Sequence, residues 1–293
     1  MSVSLAFGSS SGASSAGAAA RGAGGRIGAV LRLRVAIRRN SVNSTDILTD
    51  DVLDIECLGR GPRVLALHGI QGTRAAWLPV ARRLAAHARF VLPNLRGRGR
   101  APRGRGPGDY TLDAYAGDAA AAIERHAAGA PYFLAGWSMG VSVALALLDR
   151  RPELRPAGLI LLSGTPCLAQ ARWFDGEGAA LLAAVAAREH RLGLLQAADH
   201  DAVAFTWRAI CLTDQRPLLP RIDGPALLLH GSADTDSPHE HARWLAEGLP
   251  QARLVTLAGA GHALLTEHTE RVAAEIESFL AQHARPPKDP HET

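Results

Sequence analysis

From about residue 52 onward, short apolar runs alternate with longer segments of helical period. The run VLDIEC (residues 52–57) largely alternates apolar and polar positions, and after the turn GRGP the run RVLALHG reads as a strand buried on both faces. The spacing predicts a helix over residues 76–87, a strand at RFVLPN, a helix over 112–126, a strand at PYFLAGW and a helix over 139–150. AGLILLS follows as a strand. After a long irregular interval, PALLLHG predicts a strand, PHEHARWLAEGL a helix, ARLVTLA a strand and residues 266–283 a closing helix. Short all-apolar strands alternating with helices imply an α/β fold, a mostly parallel central sheet flanked by helices on both faces.

The interval over residues 165–222 breaks this rhythm with helical pieces such as GAALLAAVAAREHRL and DAVAFTWRAICL. Structureless connections of that length are uncommon in compact domains, so an inserted helical cap over the carboxyl edge of the sheet is expected. Residues 41–164 and 223–283 would then form the core. Residues 1–40 hold no Asp or Glu and open on Ser, Gly and Ala repetition, which reads as a disordered or dispensable extension. An organelle address or basic contact arm is the alternative there. A secretory signal is disfavoured because Arg32 and Arg34 interrupt its only apolar candidate. The Pro-rich residues 284–293 read as a flexible tail.

Composition narrows the function classes. With 47% hydrophobic residues in 293, the chain can bury a sizeable core. Its formal net charge is +4, carried almost wholly by Arg, and no nucleic-acid module or interleaved aromatic pattern accompanies it. Three cysteines, Cys57, Cys167 and Cys211, are too scattered for a disulfide framework or a zinc site and fit a reducing cytoplasm. No apolar stretch is long enough for a membrane span.

The chemistry gathers at strand ends. In GWSMG, Ser138 stands between Gly136 and Gly140 where a buried strand turns into a helix, the arrangement of a nucleophile elbow. The turn would lift the hydroxyl above the sheet and aim the first helix amides, including that of Met139, at whatever lies beside it. A hydroxyl needs a base and a group to orient that base. Asp234 in HGSADTD and His262 in GAGH follow two later strands, in the chain order Ser, Asp, His. Asp236 competes for the acid role, and Asp234 is preferred because Pro238 leaves it at the first turn off the strand. Gly69 and Gly72 let the loop in ALHGIQGT approach closely, so the Ile70 amide is the expected second oxyanion donor. His68, His230 and His268 read as structural.

Two further features concern substrate. Five Arg in residues 96–105 read as a solvated loop, with recognition of an acidic substrate as the alternative. Trp173, Phe174, Phe205 and Trp207 in the interval, with Trp137 beside the nucleophile, suggest an apolar acyl or aromatic pocket.

Taken together, HGIQGT, PNLRGRGR, GWSMG, HGSAD and GAGH resemble the α/β-hydrolase superfamily, in particular its small cytoplasmic esterase, lactonase and haloperoxidase-like members, over residues 52–281. The resemblance implies Ser138 as nucleophile, His262 as base, Asp234 as orienting acid, Ile70 and Met139 as oxyanion donors, no metal or organic cofactor, and a small-molecule ester or lactone as substrate. Relatives usually carry Asp where Asn94 stands and a Ser near Arg100 and Ala101. Val141 replaces a common third Gly. An acyltransferase, perhydrolase or lyase would use the same triad, and a small-molecule receptor of the same fold is the non-enzymatic alternative.

Overall fold

The computed structural model describes residues 38–40, 47–50, 53–194 and 196–284. Among the described residues a single sheet of nine strands carries the fold: β1 (Arg38–Asn40), β2 (Ile47–Asp50), β3 (Ile55–Gly59), β4 (Arg63–Leu67), β5 (Arg89–Pro93), β6 (Tyr132–Trp137), β7 (Gly158–Leu162), β8 (Pro225–Gly231) and β9 (Gln251–Leu257). Their spatial order is β1-β2-β3-β5-β4-β6-β7-β8-β9. The first three strands are antiparallel, and β3 joins β5 in antiparallel pairing. From β5 to β9 all neighbours are parallel. The helices are α1 (Leu78–Arg83), α2 (Leu112–His126), α3 (Met139–Arg150), α4 (Gly178–Leu192), α5 (His200–Ile210), α6 (His239–Gly248), α7 (Leu264–Glu267) and α8 (Thr269–His283).

Strands β6 and β7 are buried at every position, which is why they read as unbroken apolar runs. One apolar core packs α2, α3 and the β7–β8 insertion on one face of the sheet, and a second packs α1 and α8 on the other. Between β4, β5 and β6 the strand order reverses, because the chain moves outward to β5 before returning past β4 to β6. Such a reversal opens a crevice beyond the carboxyl ends of the strands. Registers Leu67↔Gly136 and Trp137↔Leu162 bring the ends of β4, β6 and β7 level there.

Several boundaries depart from the periodicity. VLDIEC does not form one strand, because Asp54 adopts a left-handed conformation (φ 48°) and β3 begins at Ile55 as the second arm of a hairpin with β2. Residues 38–40, placed by sequence in a dispensable extension, form β1 and pair with β2. The expected helix over 76–87 is a 3₁₀ turn at Arg74–Trp77 followed by the shorter α1. His268 breaks the closing helix into α7 and α8. Between β7 and β8 lie α4, α5 and 3₁₀ turns at Leu168–Gln170 and Arg216–Arg221. Readings for residues 1–37 and 285–293 fall outside the described residues. Among the described residues Cys167 and Cys211 are free, and no helix is long and apolar enough to cross a membrane.

Candidate active site

The corner between β6 and α3 forces Ser138 to φ 57° and ψ −122°, a sparsely populated region for a residue with a Cβ. Two glycines make the corner possible. A Cβ on Gly140 would lie 2.3 Å from the Leu67 carbonyl oxygen, and one on Gly136 would lie 2.5 Å from the Gly140 carbonyl. The Ser138 amide donates to the Leu162 carbonyl at 2.9 Å, anchoring the corner to β7.

The Ser138 hydroxyl lies 2.9 Å from His262 Nε2, and His262 Nδ1 lies 2.9 Å from Asp234 Oδ2 and 3.1 Å from Oδ1. With Nδ1–H donating to the carboxylate, Nε2 presents its lone pair to the serine hydroxyl. Asp234 Oδ1 also accepts from the amides of Asp236 and Ser237, each at 2.9 Å. Burial opposes ionisation of Asp234, but the bond and charge of His262 and the Ser237 amide outweigh it and hold the carboxyl below its usual range. All three side chains are buried.

The competing acid is engaged elsewhere. Asp236 receives Arg188 Nε at 2.8 Å and both terminal nitrogens of Arg191 at 2.8 and 3.0 Å. Burial again disfavours its charge, and the two guanidiniums overcome that to push its carboxyl well below the carboxylate range. Asp234, Asp236 and His262 offer ligand atoms within 4.8 Å of one another, the span a cation could bridge. Each of those groups, however, is already committed to the partners just given.

Ile70 and Met139 flank the elbow from two sides. A Cβ on Gly69 would lie 3.1 Å from that of Ser138, so the loop after β4 runs directly against the nucleophile. Met139 opens α3, where the first amides lack internal acceptors. His68 is structural: its Nδ1 donates to the Gly69 carbonyl at 2.8 Å, and Nε2 accepts from the Leu95 amide at 3.0 Å. Burial, reinforced by Arg98, lowers its pKa to about 3, so the ring stays neutral and ties the loops after β4 and β5 together. His230 is likewise buried and donates to the Ser237 carbonyl at 2.6 Å, supporting the loop that carries the acid.

The arginine-rich loop is exposed at Arg100, Arg103 and Arg105 and buried at Arg98. Arg96 forms paired bonds to Asp118, Arg103 reaches Asp199 in the β7–β8 insertion, and Arg100 lies 3.4 Å from Asp54. Arg98 is wholly buried. It donates to the carbonyls of Ile70 and Arg96, to the Tyr115 hydroxyl and to Thr206 Oγ1 of α5, and no carboxylate lies within ion-pair reach of it among the described residues. Asp54 takes over as the local carboxylate near Asn94, accepting from the Asn94 side chain at 2.8 Å, the Arg74 guanidinium at 2.8 Å and the Arg100 amide at 2.6 Å. Burial opposes its charge, and these donors hold its carboxyl below the ordinary value.

Of the expected pocket residues, Trp173, Phe174 and Trp207 form one cluster, with ring centroids 5.5 and 5.7 Å from Trp207. Phe205 packs on Tyr110 at 6.0 Å, where α5 meets residues 107–110. Trp137 packs 5.5 Å from the His262 ring, and its indole N–H donates to the His262 carbonyl at 3.0 Å. Arg188 and Gln71 were not singled out by sequence. Nothing local marks them, because their partners lie on other elements: Arg188 Nη1 donates to Gln71 Oε1 at 2.7 Å across 117 residues.

The model of the Alpha/beta hydrolase family matches residues 64–275. The pimeloyl-[acyl-carrier protein] methyl ester esterase of Aromatoleum aromaticum is 30% identical, over 75% of this chain and 98% of that protein. The enzyme of the same name from Nitrosomonas europaea is 27% identical, over 72% of this chain and 92% of its own length. Among solved structures, a thermophilic esterase from Thermogutta terrifontis superposes with a TM-score of 0.66 at 26% identity, covering 85% of this chain and all but 1% of that one, since 99% of it is matched. An enol-lactonase from Burkholderia xenovorans, at 24% identity and covering 83% of this chain and 100% of its own, shares the fold with a TM-score of 0.65. The order of strands, the elbow after β6 and the family match over most of the core converge on one assignment: this chain belongs to the alpha/beta hydrolase family.

Proposed function

We propose that the protein hydrolyses a carboxylic ester or lactone through an acyl-enzyme on Ser138. His262 Nε2 takes the hydroxyl proton as the serine oxygen attacks the carbonyl, and Asp234 steadies the imidazolium that forms. The amides of Ile70 and Met139 hold the oxyanion, helped by the positive end of the α3 dipole. The imidazolium then protonates the departing alkoxide. A water molecule, deprotonated by His262, attacks the acyl-enzyme, and collapse of the second tetrahedral intermediate returns the proton to Ser138. In this reading residues 165–222 act as a cap, with Trp173, Phe174 and Trp207 supplying its apolar lining.

The observation that carries the reading is the unbroken hydrogen-bond path from the Ser138 hydroxyl through His262 to Asp234, at 2.9 Å in each link. The printed names of the two curated relatives support ester cleavage as the reaction. A panel of methyl and nitrophenyl esters graded in acyl length tests it. Turnover of at least one ester is expected, with loss of about 10⁴-fold or more in kcat for Ser138→Ala. Undiminished turnover by the Ala variant would remove Ser138 from the mechanism. Failure of every ester with slow, ligand-dependent partner capture would favour a receptor.

A further inference from the structure

Arg188 reaches from α4 to the loop of Asp236 and the loop of Gln71, and its side chain is only 4% exposed. Two of its three nitrogens are spoken for. Nε donates to Asp236 Oδ1, two residues beyond Asp234, and Nη1 donates to Gln71 Oε1, one residue beyond Ile70. The guanidinium carbon lies 5.4 Å from the Phe174 ring centroid and 5.7 Å from that of Trp173. Nη2 is buried and meets no acceptor among the described residues.

A buried donor without an acceptor is costly, and a guanidinium planar between aromatic rings has little freedom to seek one. The fork is already held by two bonds and two ring contacts. An incoming oxygen would therefore meet a donor whose ordering cost has been met by the fold. The supporting groups also tie it to the two loops next to the candidate triad and oxyanion donor. Asp236 and Gln71 belong to the acid loop and the oxyanion loop on either side of Ser138, while Trp173 and Phe174 line the cluster above, the indole of Trp173 donating to the Asp236 carbonyl at 2.9 Å. Asp236 is shared between Arg188 and the half-exposed Arg191, so one carboxylate serves two guanidiniums.

We propose that Arg188 is a specificity-determining residue whose Nη2 receives a second oxygen of the substrate, a carbonyl or carboxylate oxygen in the acyl portion remote from the scissile ester. The protein would then act on oxygen-bearing acyl esters and discriminate against plain alkanoate esters of the same length. A plain ester would bury Nη2 with nothing to accept from it, and sites built around a hydrogen-bond donor reject such analogues far better than apolar pockets do. This inference rests on the ester-hydrolase reading of Ser138 and adds the chemistry of the acyl group.

The test uses the full chain and three methyl esters of equal chain length. One is a plain alkanoate, one carries a distal ketone, and one is a dicarboxylic half-ester with a free distal carboxylate. We expect kcat/KM for the ketone or the half-ester to exceed that of the alkanoate by about 10-fold to 100-fold, and the better of the two identifies the oxygen that Nη2 receives. In Arg188→Lys, which keeps a cation for Asp236 but lacks the planar fork that places a nitrogen at the Nη2 position, and in Arg188→Met, that ratio should fall toward one. The ratio is the readout, so a general loss shared by all three esters cancels. Equal kcat/KM for the three esters in the native protein, or an unchanged ratio in either variant, would overturn the proposal. If the variants do not fold, the native ratio decides alone. Turnover of all three esters without preference sinks only this inference, whereas no turnover with no acylation of Ser138 sinks the reading beneath it.

Discussion

The elbow at Ser138 and the arginine-rich loop over residues 96–105 leave the same edge of the sheet and are held by opposite means. The elbow is fixed by exclusion, since Gly136 and Gly140 leave no room for a Cβ against backbone four or five residues away or on the next strand. The loop is fixed by attachment. Arg96, Arg98 and Arg103 reach acceptors 22, 108 and 96 residues distant, on α2, α5 and the turn before α5. A steric corner needs little else to keep its shape. An attached loop can instead carry the position of one element to another, and Arg98 connects Thr206 of α5 to the Ile70 carbonyl beside the nucleophile.

The contrast is broken most severely at Gly140. In Gly140→Val the new side chain begins 2.3 Å from the Leu67 carbonyl oxygen, so β4 or α3 must move. A displacement of about 1 Å at the nucleophile costs on the order of 10²-fold in rate. We expect ester turnover to fall at least that far, together with a lower Tm. Native kinetics in this variant would show that the corner is not held by exclusion.

Arg98→Met sharpens the comparison from the other side. It removes a buried cation with no carboxylate within ion-pair reach among the described residues, along with the bonds to Ile70 and Thr206. Relief of the cation's desolvation offsets the lost bonds, so Tm should change little. Release of the Ile70 peptide should lower kcat by about tenfold, less than outright loss of an oxyanion donor, with KM changed by no more than about twofold. A fall in Tm with native kcat would make Arg98 a purely structural tie.

The smallest effect is expected at the loop's periphery. Arg103 and Asp199 are both about half exposed, and pairs of that kind contribute about 0–1 kcal/mol. Arg103→Ala should leave kcat/KM within about twofold and stability within about 1 kcal/mol by chemical denaturation. A larger loss would mean that the loop depends on each tie singly.

The same distinction explains what could be read from the chain. The limits of α2, α3 and β8 follow from local apolar spacing, and GWSMG, HGSAD and GAGH announce the carboxyl-edge loops that meet at 2.9 Å because glycine and strand ends act over a few residues. What lay hidden depends on partners far along the chain. Of the five arginines read as a solvated face, Arg100, Arg103 and Arg105 are exposed, but nothing near Arg98 shows that Tyr115 and Thr206 fold against it and bury it. Pro238 favoured Asp234 over Asp236 from sequence, yet the physical separation of the two comes from Arg188 and Arg191 on α4. The β2–β3 hairpin was missed because it turns on the left-handed conformation of Asp54, a residue that the alternation in VLDIEC had placed inside a strand.

The account stands on Ser138 as the single activated nucleophile. Reaction of the native protein with a fluorophosphonate, followed by intact-mass measurement and peptide mapping, tests this directly. The account predicts one adduct per chain, located on Ser138 and abolished in His262→Ala. Adduct formation at another residue, or labelling of Ser138 at an unchanged rate without the imidazole, would contradict it.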